Sequence, residues 1–467
     1  MDIAVECQRL QCSIEEAVAE FHQDADINRF LLCLRTLLMA FIESLVVAQI
    51  QQYLENPDFI ADLKAQAAKA ALRFKGFKST SIRLLTGQSF TIRSPYFAKA
   101  ASKSSRGRKR KKRTPKSGCH MGLTYMGFLD RCSAVMVSSA VQAALLCPSL
   151  NIARRTLSSF GVELNVKTIQ RISQHIGDRA IEHRHRITLT DTDTSTNHIL
   201  LVCIDGGRLR ERRAKRGRRP SELKRQGYHT DWREPTQLVI QWLDVNGEKC
   251  TKTAPIYDAT IGDTDRAFEL LEAYLRQLDC SQADRVVFCA DGARRYWPRF
   301  QSLAKRLELN AHLEVIDYTH AKQNLNEILE QLPKKMGAKE RARVVEHCQN
   351  LLWQGDVKAL GQEIRRHVTG PSKRKKALAK FKNYFLDNYH RMQYATFKKL
   401  NLPIGSGCVE SAIRRVINLR LKSPGMFWKR QTAEVMLFLR STLLCGRWTI
   451  MLNNLLAINR GELDGCH

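Results

Sequence analysis

The sequence predicts a multi-domain chain of α and α/β parts: a mixed sheet interrupted by an all-helical insertion, with a helical region before it. Three observations predict this. At 467 residues the chain exceeds one ordinary domain, and its 43% of hydrophobic residues can build several cores. Apart from a short alternating stretch at 80–100, strand-like runs fall within 198–318, while helical periodicity governs the flanks. Three short acidic segments stand far apart in the chain: Ile204-Asp205-Gly206-Gly207, Ala290-Asp291-Gly292-Ala293 and Gly405-Ser406-Gly407-Cys408-Val409-Glu410. Each Asp closes an apolar run and is followed by a Gly, as a turn leaving a sheet requires. The Glu opens a segment with helical spacing over 409–421.

Residues 1–75 show apolar positions at i, i+3 and i+4, so helices are expected there. The most hydrophobic stretch, 30–50, is interrupted by Arg35 and Glu43. A membrane span tolerates such charges poorly, so the expectation is a core or oligomerisation helix and no membrane partner. The first residues carry acids early and lack the apolar centre of a signal peptide, which points to the cytoplasm, on the nucleoid when DNA is bound. Residues 80–100 alternate around Thr86-Gly87 and predict a small hairpin. In 103–117 nine basic residues meet no acid. That run predicts a basic arm in which Arg108, Lys109 and Arg110 meet phosphates by charge alone.

Helical spacing returns over 133–178. A helix through 152–157, a turn at Phe160-Gly161-Val162 and a second helix capped by Asn165 make a helix-turn-helix pattern. Lys167, Gln170, Arg171 and Gln174 would then face a major groove, although an ordinary helical hairpin fits the same residues. Strands follow at 198–204, 236–243 and 249–256, the last two joined by Asn246-Gly247. A helix at 264–278, a strand at 285–290, a helix at 295–308 and a strand at 312–317 complete the region. Residues 320–400 are helical and basic, and a last helical stretch runs from 406. The expected domains are 1–100, 101–118, 119–190, 191–320, 321–400 and 401–467.

A formal net charge of +30 points to a polyanion, with nucleic acid the first candidate. The 14 cysteines form no C-x-x-C pair, and several lie in apolar runs, so reduced thiols are expected and no structural zinc. Between 208 and 225 ten basic residues face two acids. This basic loop, with Arg212, Arg213, Arg216, Arg218 and Arg219, is expected to track DNA. Trp232 and Trp297 could stack on a flipped base, but burial in the core is the expected fate of each.

Three strands in a row followed by strand–helix–strand is the order of an RNase H-like α/β domain, whose first and fourth strands are neighbours. That order would bring Asp205 and Asp291 together. From 291 to 410 there is far more chain than one helix and one strand need, so the surplus is a helical insertion. Two carboxylates at strand ends and a third on a packed helix can hold divalent metal.

Val202-Cys203-Ile204-Asp205-Gly206-Gly207, Ala290-Asp291-Gly292-Ala293, Ile316-Asp317-Tyr318-Thr319-His320, and Arg391 and Met392 with Tyr394 resemble motifs of DDE transposases from bacterial insertion sequences. The most specific match is the run from Leu402 to Glu410, continuing through Arg420-Leu421-Lys422, Pro424-Gly425-Met426 and Trp428. It is similar to the Kra-type family. The resemblance covers about 130–450 and implies that Asp205, Asp291 and Glu410 hold two Mg²⁺ (or Mn²⁺) ions, with no organic cofactor. It implies cleavage at the ends of a mobile DNA element and strand transfer into target DNA, by a homo-oligomer on double-stranded DNA. Asp317 and His320 form a possible accessory pair, with helix capping by Asp317 the simpler reading. Arg414, one turn after Glu410, could pair with it or touch a phosphate. The Tyr-Arg-Glu-Lys spacing of another transposase group is absent, since Ser406 and Val416 stand where Arg and Lys would, so that group's hairpin route is not supported. A metal-dependent nuclease or resolvase of the same fold is the alternative enzyme. A domesticated DNA-binding protein with an inactive catalytic domain is the alternative of another class.

Overall fold

The computed structural model describes residues 3–99, 118–190, 193, 198–218, 221–222 and 226–461. The basic-arm residues Arg108, Lys109 and Arg110, and Arg219, lie outside them. The chain divides into two compact units, Met1–Arg179 with Leu452–His467, and Ala180–Met451.

The first unit opens with α1 (Ile3–Asp24), α2 (Ile27–Glu55) and α3 (Pro57–Lys69). Asp26 caps α2 by accepting from the backbone of Asn28 and Arg29, and Asn56 caps α3. The hairpin β1 (Leu72–Arg83) and β2 (Ser89–Lys99) is longer than the alternation predicts and begins where helix was expected. A register shift between Phe74 and Phe77 blurs the period there. Then come α4 (Met121–Tyr125), β3 (Phe128–Leu129) and β4 (Cys132–Ser133), giving a four-stranded sheet β2-β1-β4-β3. Leu54, Phe59, Leu63, Ile82, Ile92 and Phe97 are at its core.

The apolar helix α2 is not a core helix. Its buried residues are Glu43 and Leu54, while Leu31, Leu38, Ile42, Val46 and Tyr53 are exposed. By length and composition it could cross a membrane. Glu43, however, serves the fold: its carboxylate takes the Thr86 backbone N–H at 2.7 Å and the Thr86 hydroxyl, which holds α2 to the hairpin turn. The helices α5 (Ala134–Leu146), α6 (Leu150–Ser159) and α7 (Val166–Glu182) complete the series. Asn165 accepts from Thr168 N at 2.8 Å at the start of α7. Lys167, Gln170 and Arg171 are on its exposed side and Ile169, Ile172 and Ile176 on its buried side.

The second unit is built on one mixed sheet. After α8 (Arg184–Ile187) come β5 (Ile199–Gly206), β6 (Leu209–Ala214), β7 (Tyr228–Arg233), β8 (Thr236–Leu243) and β9 (Ile256–Thr260). Then follow α9 (Thr264–Gln277), β10 (Arg285–Ala290), α10 (Trp297–Arg306) and β11 (His312–Ile316). The sheet order is β11-β10-β5-β8-β9; β5, β10 and β11 are parallel, and β8 runs antiparallel to β5 and β9. Every residue of β8 and all but the last two of β5 are buried, as expected of strands covered on both faces.

Two expectations need correction. The third strand starts at Ile256, not 249. The Asn-Gly turn forms, with Gly247 N bonded to Asp244 O, but polar 249–253 make one bridge before the chain bulges out as far as Pro255. The basic loop is a folded hairpin, β6 paired with β7, because cross-strand ion pairs replace the apolar alternation that announces most strands.

Helices α11 (Tyr318–Leu329), α12 (Ala338–Gln354), α13 (Val357–His367), α14 (Pro371–Phe381) and α15 (Tyr394–Lys399) follow the last strand. The chain ends in α16 (Gly407–Ile413), α17 (Arg430–Leu444) and α18 (Trp448–Arg460). Buried ion pairs stitch these helices to the sheet. Arg184 meets Asp258 on β9 at 3.0 Å and Glu434 on α17 at 2.8 Å, and Arg447 meets Asp193 at 2.7 Å. Removing one partner from such a pair costs about 3–5 kcal/mol, because a charge is left buried alone.

Candidate metal centre

The site forms where parallel strands β5 and β10 end. Cys203 is in register with Cys289, so Asp205 and Asp291, two residues further on each strand, stand abreast. Asp205 Oδ1 accepts from Gly206 N at 2.6 Å and Asp291 Oδ1 from Ala293 N at 2.9 Å, each carboxylate steadied by its own turn. Glu410 arrives on α16, in its first turn. The turn that follows α16 comes very close to the end of β5: a Cβ added to Gly207 would stand 2.5 Å from Ile417 Cδ1, so that side chain would have to move.

Asp205 feels both of the other carboxylates. Burial pushes the Asp205 carboxyl up to about 6, and the negative charges of Asp291 and Glu410 push the same way, while Gly206 N–H and His320 oppose them. Tyr296 also feels Asp291 and Asp205: burial first, then those charges, raise its phenol to about 12 against the pull of Arg295. His320 Nε2 lies 3.5 Å from Glu410 Oε1. Asp317, His320 and Glu410 each bring a potential ligand atom within 4.8 Å of the others, so this group could hold a metal.

Asp317 is less suited to ligation than the two turn aspartates. Its Oδ1 caps α11 through His320 N at 2.8 Å, and its Oδ2 takes both the backbone N–H and the hydroxyl of Ser406. Both oxygens are already engaged, and they hold the glycine-rich turn ahead of Glu410 in place. Asp205, Asp291 and Glu410 are hard oxygen donors, but among the described residues only Asp317, His320 and Glu410 bring ligand atoms within 4.8 Å of one another.

Other residues sit near the site with little in the residue pattern to announce them. Tyr384 Oη donates to Asp291 O at 3.1 Å from a π-helical turn, 382–386, and its ring blocks any Cβ at Gly292. A second π-helical turn, 414–418, follows α16 directly. Such turns gather at functional sites, and no residue pattern announces them. Glu234, against Gly206, is paired with Arg295, whose guanidinium also reaches Tyr296 Oη at 2.8 Å. A cysteine stands two places ahead of each acid: Cys203, Cys289 and Cys408. Cys203 and Cys408 approach to 3.3 Å between sulfurs. That repeated spacing was readable and ties the three acids together before any fold is known.

The outlying candidates are placed as follows. Arg414 is exposed, and among the described residues it makes no ion pair with Glu410. Arg171 is held by an ion pair to Asp130, and Gln174 donates to Asp178 at 2.8 Å. Arg212 and Arg213 are on β6, and Arg216 and Arg218 are exposed beyond it. Trp297 is buried as expected, but Trp232 is 58% exposed.

No family model and no curated protein matches the chain. Among solved structures it is similar to the Drosophila P element transposase strand transfer complex, at 13% identity and a TM-score of 0.25, over 69% of this chain and 81% of that one. At that TM-score the two folds are not equated.

Proposed function

We propose that the chain is a DDE transposase with an RNase H-like catalytic domain, cutting and joining DNA at the ends of a mobile element. The observation that supports this is the convergence of Asp205, Asp291 and Glu410 from 205, 291 and 410 in the chain onto one end of a sheet. A binding protein gains nothing from two half-buried carboxylates and an exposed third that repel DNA, whereas phosphoryl transfer needs them. The sheet order, three antiparallel strands with two parallel ones beside the first, and the likeness of 402–428 to Kra-type insertion-sequence enzymes support the same reading.

Asp205, Asp291 and Glu410 would hold the divalent ions, with His320 beside Glu410 and Asp317 fixing the turn before it. Bound there, two such ions would supply Lewis-acid stabilisation of the attacking and leaving oxygens. Rigid strand ends orient the Asp carboxylates, so little entropy remains to be lost on binding. A water oxygen attacks phosphorus at the element end and the 3′-oxygen leaves as a hydroxyl. That 3′-hydroxyl then attacks phosphorus in the target strand, forming a new phosphodiester bond as the target's own 3′-oxygen leaves as a hydroxyl. The exposed face of α7, with Lys167 and Gln170, would read element ends, and the enzyme would work as an oligomer in the cytoplasm.

Asp205→Ala, Asp291→Ala and Glu410→Ala should each abolish Mg²⁺-dependent strand transfer, losing at least about a thousandfold, with DNA binding kept. Joined products are scored on a gel, which also separates transfer from nicking by a nuclease. Normal joining by any one variant removes that residue from the site.

A further inference from the structure

The two faces of the β6–β7 hairpin differ in chemistry. On one face every charge is answered: Arg233 Nε meets Glu211 Oε2 at 2.6 Å and Arg213 Nε meets Asp231 Oδ2 at 2.7 Å. The opposite face carries the cross-strand pairs Arg210 with Trp232, Arg212 with Thr230 and Ala214 with Tyr228, and no acid. Trp232 and Tyr228 are 58% and 44% exposed. The Arg210 guanidinium lies 5.5 Å from the Trp232 ring centre and 4.7 Å from that of Phe427. Phe427 lies 5.7 Å from Tyr228, and Arg212 lies 5.9 Å from the same ring. Phe427 is fixed by its neighbour, since Trp428 N donates to Arg210 O at 2.9 Å and Trp428 O accepts from Arg212 N at 2.8 Å. The result is a row of rings and guanidinium groups, Trp232, Arg210, Phe427, Tyr228 and Arg212, whose two outer rings Trp232 and Tyr228 are exposed.

Large rings left in water beside arginines without carboxylate partners fit one kind of ligand: a flat π surface with a negative charge attached. A nucleobase with its phosphate is that ligand. A paired duplex shows its base edges and hides its ring faces, so the bases must be unpaired. The row begins at Arg210, five residues beyond Asp205, and is therefore at most about 17 Å along the chain from the carboxylates. We infer that this face binds unpaired nucleobases of single-stranded DNA next to the site. The inference rests on the nucleic-acid reading above and adds that the substrate is opened or unpaired where it meets the hairpin.

The test is fluorescence anisotropy of labelled DNA on the full chain, in chelator so that no cleavage intervenes. A short oligothymidylate, a perfect duplex, a duplex with a single-stranded 3′ tail and a duplex with one unpaired base are compared. Trp232→Ala and Tyr228→Ala should each weaken the oligothymidylate by roughly tenfold and leave the perfect duplex unchanged. Trp232→Phe should restore most of the binding, and Tyr389→Ala, an exposed aromatic on another element, should change nothing. A loss confined to the tailed duplex assigns the row to a free strand, and one on the single unpaired base to a flipped base. Equal losses on perfect duplex and single strand, or none on either, overturn the inference. Thermal melting by circular dichroism confirms that each variant folds. Because metal is absent throughout, failure here leaves the carboxylate reading standing, and failure of the carboxylate variants leaves this one standing.

Discussion

Asp205 is the residue whose chemistry the fold changes most clearly. Burial, then the charges of Asp291 and Glu410, raise its carboxyl to about 6 from an ordinary value near 4. A folded-state value above the unfolded one means that its stabilising share is complete below about pH 4 and is lost as pH climbs through about 6. In chelator, wild type should therefore lose of order 1–2 kcal/mol relative to Asp205→Asn between pH 4 and 7, once its partial exposure is allowed for. Urea unfolding at each pH measures this, and parallel curves for the two proteins would show that the carboxyl titrates normally. The two Asp-Gly segments are weak signals alone, and the run from Leu402 to Glu410 is the specific one. The neighbour Tyr384 was not legible, because it comes from another segment and only tertiary packing brings it near Asp291.

At the scale of elements, strands buried on both faces were the easiest to read. The apolar runs of β5, β8 and β10 fall close to the expected bounds because continuous burial leaves a continuous pattern. The hairpin β6–β7 was hidden, since its alternation is written in charges, Glu211 against Arg233 and Arg213 against Asp231. The third strand was misplaced because an Asn-Gly turn fixes only the residues nearest to it, and Pro255 ends the bulge that follows. The helical insertion was expected from chain length alone, but not its contact with the Asp291 turn. Gly292 has φ +92°, and a Cβ there would stand 2.8 Å from the Tyr384 ring. Gly292→Ala should cost about 1–3 kcal/mol and loosen the insertion from the turn. Chemical denaturation reads the first effect, and an unshifted midpoint would mean that Tyr384 moves aside freely.

For the whole molecule the dominant quantity is the net charge of +30. A footprint neutralising 6–10 phosphates loses roughly 10³–10⁵ in affinity between 50 and 200 mM salt, because condensed counterions are released on binding. Double-stranded DNA binding should follow that slope, and deletion of 103–117 should flatten it. Affinity indifferent to salt would mean that the positive charge serves some other purpose.

The order in which the three acids occur along the chain has its own consequence. Synthesis runs from the amino terminus at about 5–20 residues per second, and domains fold as they emerge. The ribosome can release the whole sheet, with both aspartates abreast, well before it has made Glu410. On the proposed reading, a nascent or prematurely terminated polypeptide would own two-thirds of its cutting apparatus and be harmless to the genome that encodes it. Competence would come late, only once Glu410 has been made.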